Sequence, residues 1–172
     1  MKTLLLLMCF LVMAPALTAQ TEDELKALAM EGARICGQAT VDGDFATLMD
    51  YTVPTIVELM GGKNTALSSI KAQMKTMEND GFEIVSSEVL KLTGFAFEQN
   101  EYRCIIKNRI TMNTPKGGLE STSYLFGFYD ETAGQWYFTE AKRLKDPSVM
   151  EQVFPGMKTS LVIPNGETRF LD

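Results

Sequence analysis

The segment Glu101–Met112 constrains the fold more than any other part of the sequence. It reads Glu-Tyr-Arg-Cys-Ile-Ile-Lys-Asn-Arg-Ile-Thr-Met, with mostly apolar side chains at even positions and most of the charges at odd positions. Side chains on a β-strand alternate between the two faces of the sheet. The pattern therefore predicts the central strand of a twisted antiparallel sheet, with Arg103 and Arg109 on a solvent-exposed face.

Helical patterns precede this strand, and further strand patterns follow it. Thr21 and Glu24 form a capping box before an amphipathic segment that extends to about Thr40. The other predicted elements are a short helix after Asp44, a strand over Thr55–Met60, a helix capped by Asn64 and ended by Gly81, strands over Phe82–Leu92, Phe95–Glu98, Leu119–Tyr129 and Gln135–Arg143, a short helix after Asp146–Pro147, and an edge strand over Leu161–Ile163. This order indicates an α+β fold in which about three helices wrap a curved antiparallel sheet, followed by a short C-terminal helix and tail.

The first 19 residues have the composition of a secretory signal peptide. An apolar run, Leu4–Met13, is followed by small residues, and we expect cleavage after Ala19, with Ala16 as the alternative. The run is too short for a stable transmembrane helix, so we expect no membrane span after cleavage. The mature chain is then predicted to be one domain over residues 20–172, with 144–172 as a C-terminal extension, that works in a periplasm or outside the cell.

Composition excludes several kinds of chemistry. The sequence contains no histidine, which rules out histidine acid–base catalysis, Ser–His or Cys–His nucleophiles and histidine-ligated zinc. A net charge of −6 argues against a nucleic-acid partner or an anionic membrane surface. No cofactor and no metal site are predicted.

Cys36 and Cys104 are the cysteines that remain after signal cleavage. Both lie on predicted apolar faces, so they can be two buried free thiols. An oxidising compartment would also allow one disulfide between the first helix and the central strand. Sequence alone leaves both alternatives open.

The order of elements and several short motifs resemble the NTF2-like superfamily over the mature chain to about Arg143. The resemblance is carried by the first amphipathic helix, Gly43-Asp44-Phe45, Thr55-Ile56-Val57-Glu58 with Gly61-Gly62-Lys63, and Gln135-Trp136-Tyr137-Phe138. It implies a cystatin-like cone, in which a curved sheet and its helices enclose an apolar pocket. Members of that superfamily include isomerases, dehydratases and epoxide hydrolases as well as non-enzymatic binding and dimerisation modules, so the fold does not decide the function.

The residues favour binding over catalysis. Leu59 stands where isomerase-like members carry a general-base aspartate, and dehydratase-like members depend on histidines. Glu140 is the weak catalytic candidate, because it is the late-strand acid whose same-face neighbours, Trp136 and Phe138, are apolar. Tyr124 would be its proton donor.

Four residues are candidates for ligand binding: Asn108, Tyr124, Trp136 and Tyr51. Asn108 is an amide on an apolar strand face, where it needs a partner from the protein, water or a ligand. Tyr124 and Trp136 combine an apolar body with a polar group and could line the same cavity, and Tyr51, at the exit of the second helix, is a candidate for its rim. Asn108 also has a structural interpretation, as an amide bonded to a neighbour, and Tyr124 and Trp136 have one as core aromatics.

Three functional hypotheses follow. The first is a secreted domain that binds a small apolar ligand without converting it. The second is a small isomerase, dehydratase or hydrolase that acts on a hydrophobic substrate. The third is a homodimeric interaction module that pairs through its sheet, which an exposed patch of Phe126, Phe128 and Trp136 would favour.

Overall fold

The computed structural model describes residues 20–171, so the predicted signal segment lies outside the described residues. Within that range the helices are α1 (Glu22–Asp42), α2 (Phe45–Asp50), α3 (Pro54–Leu59), α4 (Lys63–Asn79) and α5 (Pro147–Val153), with a 3₁₀ helix over Ala141–Lys145. The strands are β1 (Glu83–Glu98), β2 (Glu101–Thr114), β3 (Gly117–Asp130), β4 (Gln135–Glu140) and β5 (Glu167–Phe170). The predicted α+β class is confirmed.

All five strands belong to one open antiparallel sheet. Strands β1, β2 and β3 are joined in sequence order, and β3 pairs on its other edge with both β4 and β5. Leu125 of β3 lies opposite Glu140 at the end of β4, and Thr122 lies opposite Glu167 at the start of β5. A short stretch of the β3 edge between these two strands is therefore left unpaired. The predicted central strand is β2, an interior strand of this sheet.

Helix α1 covers one face of the sheet. Its first turn has the predicted capping box, in which the Glu24 amide donates to Thr21 Oγ1 and the Thr21 amide donates to Glu24 Oε2. The buried side chains of α1 pack against the even positions of β2 and the first residues of β4; this core contains Leu25, Ala29, Ala33, Cys36, Cys104, Ile106, Tyr129, Trp136 and Phe138. Burial of this apolar area is the main force that holds the helix on the sheet.

The opposite face of the sheet is also partly covered. Ile105 and Phe126 pack there against Ala141 and Leu144, with partly buried residues of the C-terminal extension around them. The prediction of a fully exposed odd face on β2 is therefore wrong near Arg103, which is only 3% exposed. It fails because the extension folds back over this face, a long-range contact that strand alternation does not encode.

Arg103 attaches the extension to the β1–β2 hairpin. Its guanidinium donates to the Lys158 carbonyl at 2.8 Å, to Glu101 Oε2 at 2.9 Å and to Gln99 Oε1 at 3.2 Å. Beside it, the Ser160 hydroxyl and amide donate to the Glu98 carboxylate. Hydrogen bonding lowers the pKa of Glu98 to about 2, and the bond from the Ser160 hydroxyl has the largest effect.

The predicted strand over Thr55–Met60 is wrong, because these residues form most of helix α3. Pro54 occupies the first turn, where its missing N–H costs nothing and its fixed φ suits a helix. The Ile56 amide donates to the Val53 carbonyl at 2.9 Å and starts the helical bonding. The β-branched composition of this segment favoured a strand, whereas Pro54 correctly indicated the start of a helix.

Other boundaries also differ from the predictions. Helix α4 is preceded by Gly62 as its N-cap and begins at Lys63, so Asn64 is not the cap. Strand β1 continues through Gly94, where the pairing register shifts, rather than breaking there. Strand β4 stops at Glu140 and a 3₁₀ helix follows, and the last strand lies at Glu167–Phe170 rather than at residues 161–163.

Candidate functional site

A cavity of about 550 Å³ lies at the end of β4, and we call it the β4-end cavity. Its walls come from α1–α4, Leu125 of β3, the end of β4, the 3₁₀ helix and α5. It is lined by Cys36, Leu48, Met49, Tyr51, Thr52, Ile56, Leu59, Met60, Ile70, Gln73, Leu125, Phe138, Thr139, Glu140, Arg143, Leu144, Val149, Gln152 and Val153. Most of these side chains are apolar, and the volume is in the range of sites for small molecules.

The link between α2 and α3 positions one wall of the cavity. It follows the free edge of β4, where the Phe138 amide donates to the Tyr51 carbonyl at 2.7 Å and the Val53 amide donates to the Phe138 carbonyl at 3.2 Å. These bonds give partners to the backbone groups of Phe138 on the edge of β4, and they fix the position at which α3 starts. Ile56 and Met60 of α3 are thereby held at the cavity.

Phe138 forms part of the cavity wall and sits in a slot between two glycines. A Cβ at Gly32 of α1 would lie 2.9 Å from Phe138 Cε2, and a Cβ at Gly127 of β3 would lie 2.8 Å from Phe138 Cε1. Real Cβ atoms do not approach ring carbons this closely, so the fit requires glycine on both sides. The ring is therefore held in place by backbone from a helix and a strand.

Glu140 and Arg143 are the charged residues that line the cavity. Glu140 is half-buried beside Leu125 and Phe138, and burial raises the pKa of its carboxyl group although Arg143 and Lys142 act in the opposite direction. Arg143 lies in the 3₁₀ helix that follows β4 and is exposed to solvent. The site thus combines an apolar interior with one carboxyl group and one cationic guanidinium group.

Tyr51, one of the predicted ligand-binding residues, lines the β4-end cavity. Asn108 is buried, at 6% exposure, but does not line this cavity. Its Oδ1 accepts a hydrogen bond from the Ser123 hydroxyl at 2.6 Å, which supports the structural interpretation of this amide. The prediction of Asn108 as a handle at the pocket floor is therefore not supported by its position.

Trp136 and Tyr124 lie on opposite faces of the sheet, so the expectation that they line one cavity is wrong. Trp136 is 2% exposed, belongs to the core under α1 and donates its indole N–H to the Leu25 carbonyl at 3.0 Å. Tyr124 packs on the other face, next to Phe126. It lines a separate cleft of about 540 Å³, to which Glu140 also contributes.

Cys36 and Cys104 are both buried free thiols, so the disulfide alternative is not formed in this structure. Burial raises the pKa of Cys36 to about 12, and burial also raises the pKa of Cys104. Neither thiol is therefore a ready nucleophile at neutral pH. The patch that would favour a dimer through the sheet is likewise not exposed, since Phe126 and Trp136 are buried in separate cores.

Sequence reasoning missed several residues of the cavity, above all Arg143, Gln152 and Ile56. The signal for Arg143 was the group of basic residues Lys142, Arg143 and Lys145. The predicted strand Gln135–Arg143 included the first two of them. Ile56 was missed because α3 was predicted as a strand. Gln152 comes from α5, whose approach to the sheet depends on long-range packing.

Among residues 20–171, no cluster of metal-ligating side chains is present, and no helix is long and apolar enough to cross a membrane. Comparison of the chain with known protein families, with curated proteins and with solved structures finds no match. The cavity and its residues must therefore carry the functional argument.

Proposed function

We propose that the chain is an NTF2-like domain that binds a small, largely apolar molecule in the β4-end cavity without converting it. The observation that carries this proposal is the cavity itself, with its apolar lining and its volume of about 550 Å³. Helices on one face of an antiparallel sheet and a cavity between them are what the resemblance to that superfamily implies. The proposed site of action is outside the cytoplasm, after removal of residues 1–19.

A saturation experiment with a neutral fluorescent probe, N-phenylnaphthylamine, tests the binding function. The wild-type protein should bind the probe saturably, and Ile56→Trp should weaken binding by about tenfold or more, because the larger ring fills the cavity. Val162→Trp is the control, since Val162 is 81% exposed and is not part of the cavity. Absence of saturable binding, or equal binding by Ile56→Trp, would overturn the proposal.

An enzymatic function is the second candidate, and the position of Glu140 favours it. A half-buried carboxyl group with a raised pKa in an apolar cavity wall has the properties of a general acid or base. Tyr124, the expected proton donor, could act with Glu140 only in the separate cleft that both residues line. Glu140→Gln should then abolish turnover of a hydrophobic substrate, and unchanged turnover would exclude Glu140 from the chemistry.

A further inference from the structure

The polar part of the β4-end cavity contains one carboxyl group and one guanidinium group, those of Glu140 and Arg143. Glu140 ends β4, and Arg143 follows three residues later in the 3₁₀ helix. The other polar groups in the lining, including Gln73 and Gln152, are neutral. Arg143 makes no ion pair within 4.0 Å among the described residues. The guanidinium at this site is available to a ligand.

Arg143 lies in a short basic segment that is flanked by the acids Glu140 and Asp146. The 3₁₀ helix Ala141–Lys145 has three cationic residues, Lys142, Arg143 and Lys145, and no acid. Lys145 donates to Asn165 Oδ1 and does not line the cavity. The chain as a whole has a net charge of −6, and a cationic segment at the cavity therefore stands out against an acidic protein.

We propose that the ligand is an amphipathic carboxylate, with an apolar chain that fills the β4-end cavity and a carboxylate that accepts hydrogen bonds from Arg143. This inference rests on the proposed binding function and specifies its ligand class. A guanidinium presents a planar fork of N–H donors that matches a carboxylate in two parallel hydrogen bonds. The apolar lining provides the contact for the rest of the molecule.

Glu140 limits the affinity for such a ligand. An ionised Glu140 repels a carboxylate at Arg143, while its protonated form can donate a hydrogen bond to it. The charged groups that act on Glu140 are Arg143 and Lys142. Binding of a carboxylate ligand should therefore favour protonation of Glu140, and Glu140→Gln should increase the preference for a carboxylate over a neutral ligand.

Displacement of N-phenylnaphthylamine by decanoate, decanol and decylammonium tests the ligand class. The three competitors share one apolar chain and differ in the head group. Decanoate should bind the wild-type protein about tenfold more tightly than decanol, because the guanidinium adds a charge-assisted hydrogen bond. Arg143→Met should reduce this ratio to about one, with little effect on decanol.

Lys142→Met is the matched control, because it removes the same charge from the neighbouring position, which faces the separate cleft. It should leave the ratio within about twofold of wild type, because exposed charges more distant from the ligand are screened. Thermal melts would verify that Arg143→Met folds, and Arg143→Lys, which keeps the charge but not the fork, should give an intermediate ratio.

The outcomes separate the two proposals. Equal binding of decanoate and decanol, or a preference for decylammonium, would overturn the carboxylate assignment while leaving the apolar binding site intact. Equal loss of preference in Lys142→Met and Arg143→Met would assign the effect to general charge and overturn the specific role of Arg143. Failure of all three competitors to displace a bound probe would overturn the carboxylate assignment, and failure of the probe itself to bind would overturn the binding function.

Discussion

The slot that holds Phe138 permits a prediction in which two known effects oppose each other. Gly32 lies inside α1, where replacement of glycine by alanine normally stabilises a helix by about 1 kcal/mol. A Cβ at this position would lie 2.9 Å from Phe138 Cε2 and 3.3 Å from Phe138 Cζ. The ring has little room to move away, because a Cβ at Gly127 would lie 2.8 Å from Cε1 on its other edge.

Overpacking of a rigid core typically costs about 1–3 kcal/mol. The net effect of Gly32→Ala should therefore be a loss of about 0–2 kcal/mol in the free energy of unfolding, rather than the usual gain. In a Phe138→Leu background the ring is absent, so the clash is relieved and the helical preference remains. Gly32→Ala should then stabilise the protein by up to about 1 kcal/mol, which reverses its sign.

Urea unfolding of the four proteins in this cycle measures the effect, with comparable m-values as the condition for comparison. Gly127→Ala provides a contrast, because its Cβ would also lie 2.8 Å from Cys104 Sγ. That contact persists in Phe138→Leu, so Gly127→Ala should remain destabilising in both backgrounds. Equal effects of Gly32→Ala with and without the Phe138 ring would refute the reasoning.

Three further predictions concern the C-terminal extension and the thiols. Hydrogen bonds, of which the one from the Ser160 hydroxyl has the largest effect, lower the pKa of Glu98 from its usual 4.5 to about 2. The stability that these bonds give to the folded protein is therefore fully present above pH 4.5 and is lost as the pH falls towards 2. Thermal melts should show this slope, and Glu98→Gln should flatten it. Arg103→Met should speed proteolytic cleavage of the extension by about tenfold, with intact-mass analysis to locate the cut; an unchanged rate would contradict the role of Arg103 as an anchor. Cys36 and Cys104 should resist a thiol reagent in the native protein and both react in denaturant, whereas a disulfide would leave neither reactive.

Local sequence signals predicted several elements of the fold. The capping box at Thr21 and the Asp44 cap of α2 each depend on residues close in sequence, and each is present in the structure. The strand β2 is also present, but its burial does not alternate, because Arg103, Cys104, Ile105 and Ile106 are all buried. The strand predicted at Thr55–Met60 failed where two local signals conflicted. The β-branched residues favoured an extended strand, while Pro54 favoured the first turn of a helix. In the structure the Val53 carbonyl accepts the first hydrogen bonds of that helix.

The candidate site was less predictable, because it depends on which face of β3 lies on the same side of the sheet as a given face of β4. Alternation correctly put Trp136, Phe138 and Glu140 on one face of β4 and Tyr124 with Phe126 on one face of β3. It could not show that these two faces are opposite, since the relative register of neighbouring strands is set by pairing. Trp136 and Tyr124 were therefore assigned to one cavity although the sheet separates them.

The C-terminal extension explains both the buried Arg103 and the position of the cavity. Residues that follow β4 bury Ile105 and Phe126 on one face of the sheet, and Leu144, Val149 and Val153 then complete the β4-end cavity. In the NTF2-like fold that we propose for this chain, the resemblance ends at about Arg143, and this wall lies beyond it. A binding site completed by such a segment can acquire its own ligand preference while the sheet and α1 stay unchanged. The charge of Arg143, at this junction, is the feature that we expect to set that preference.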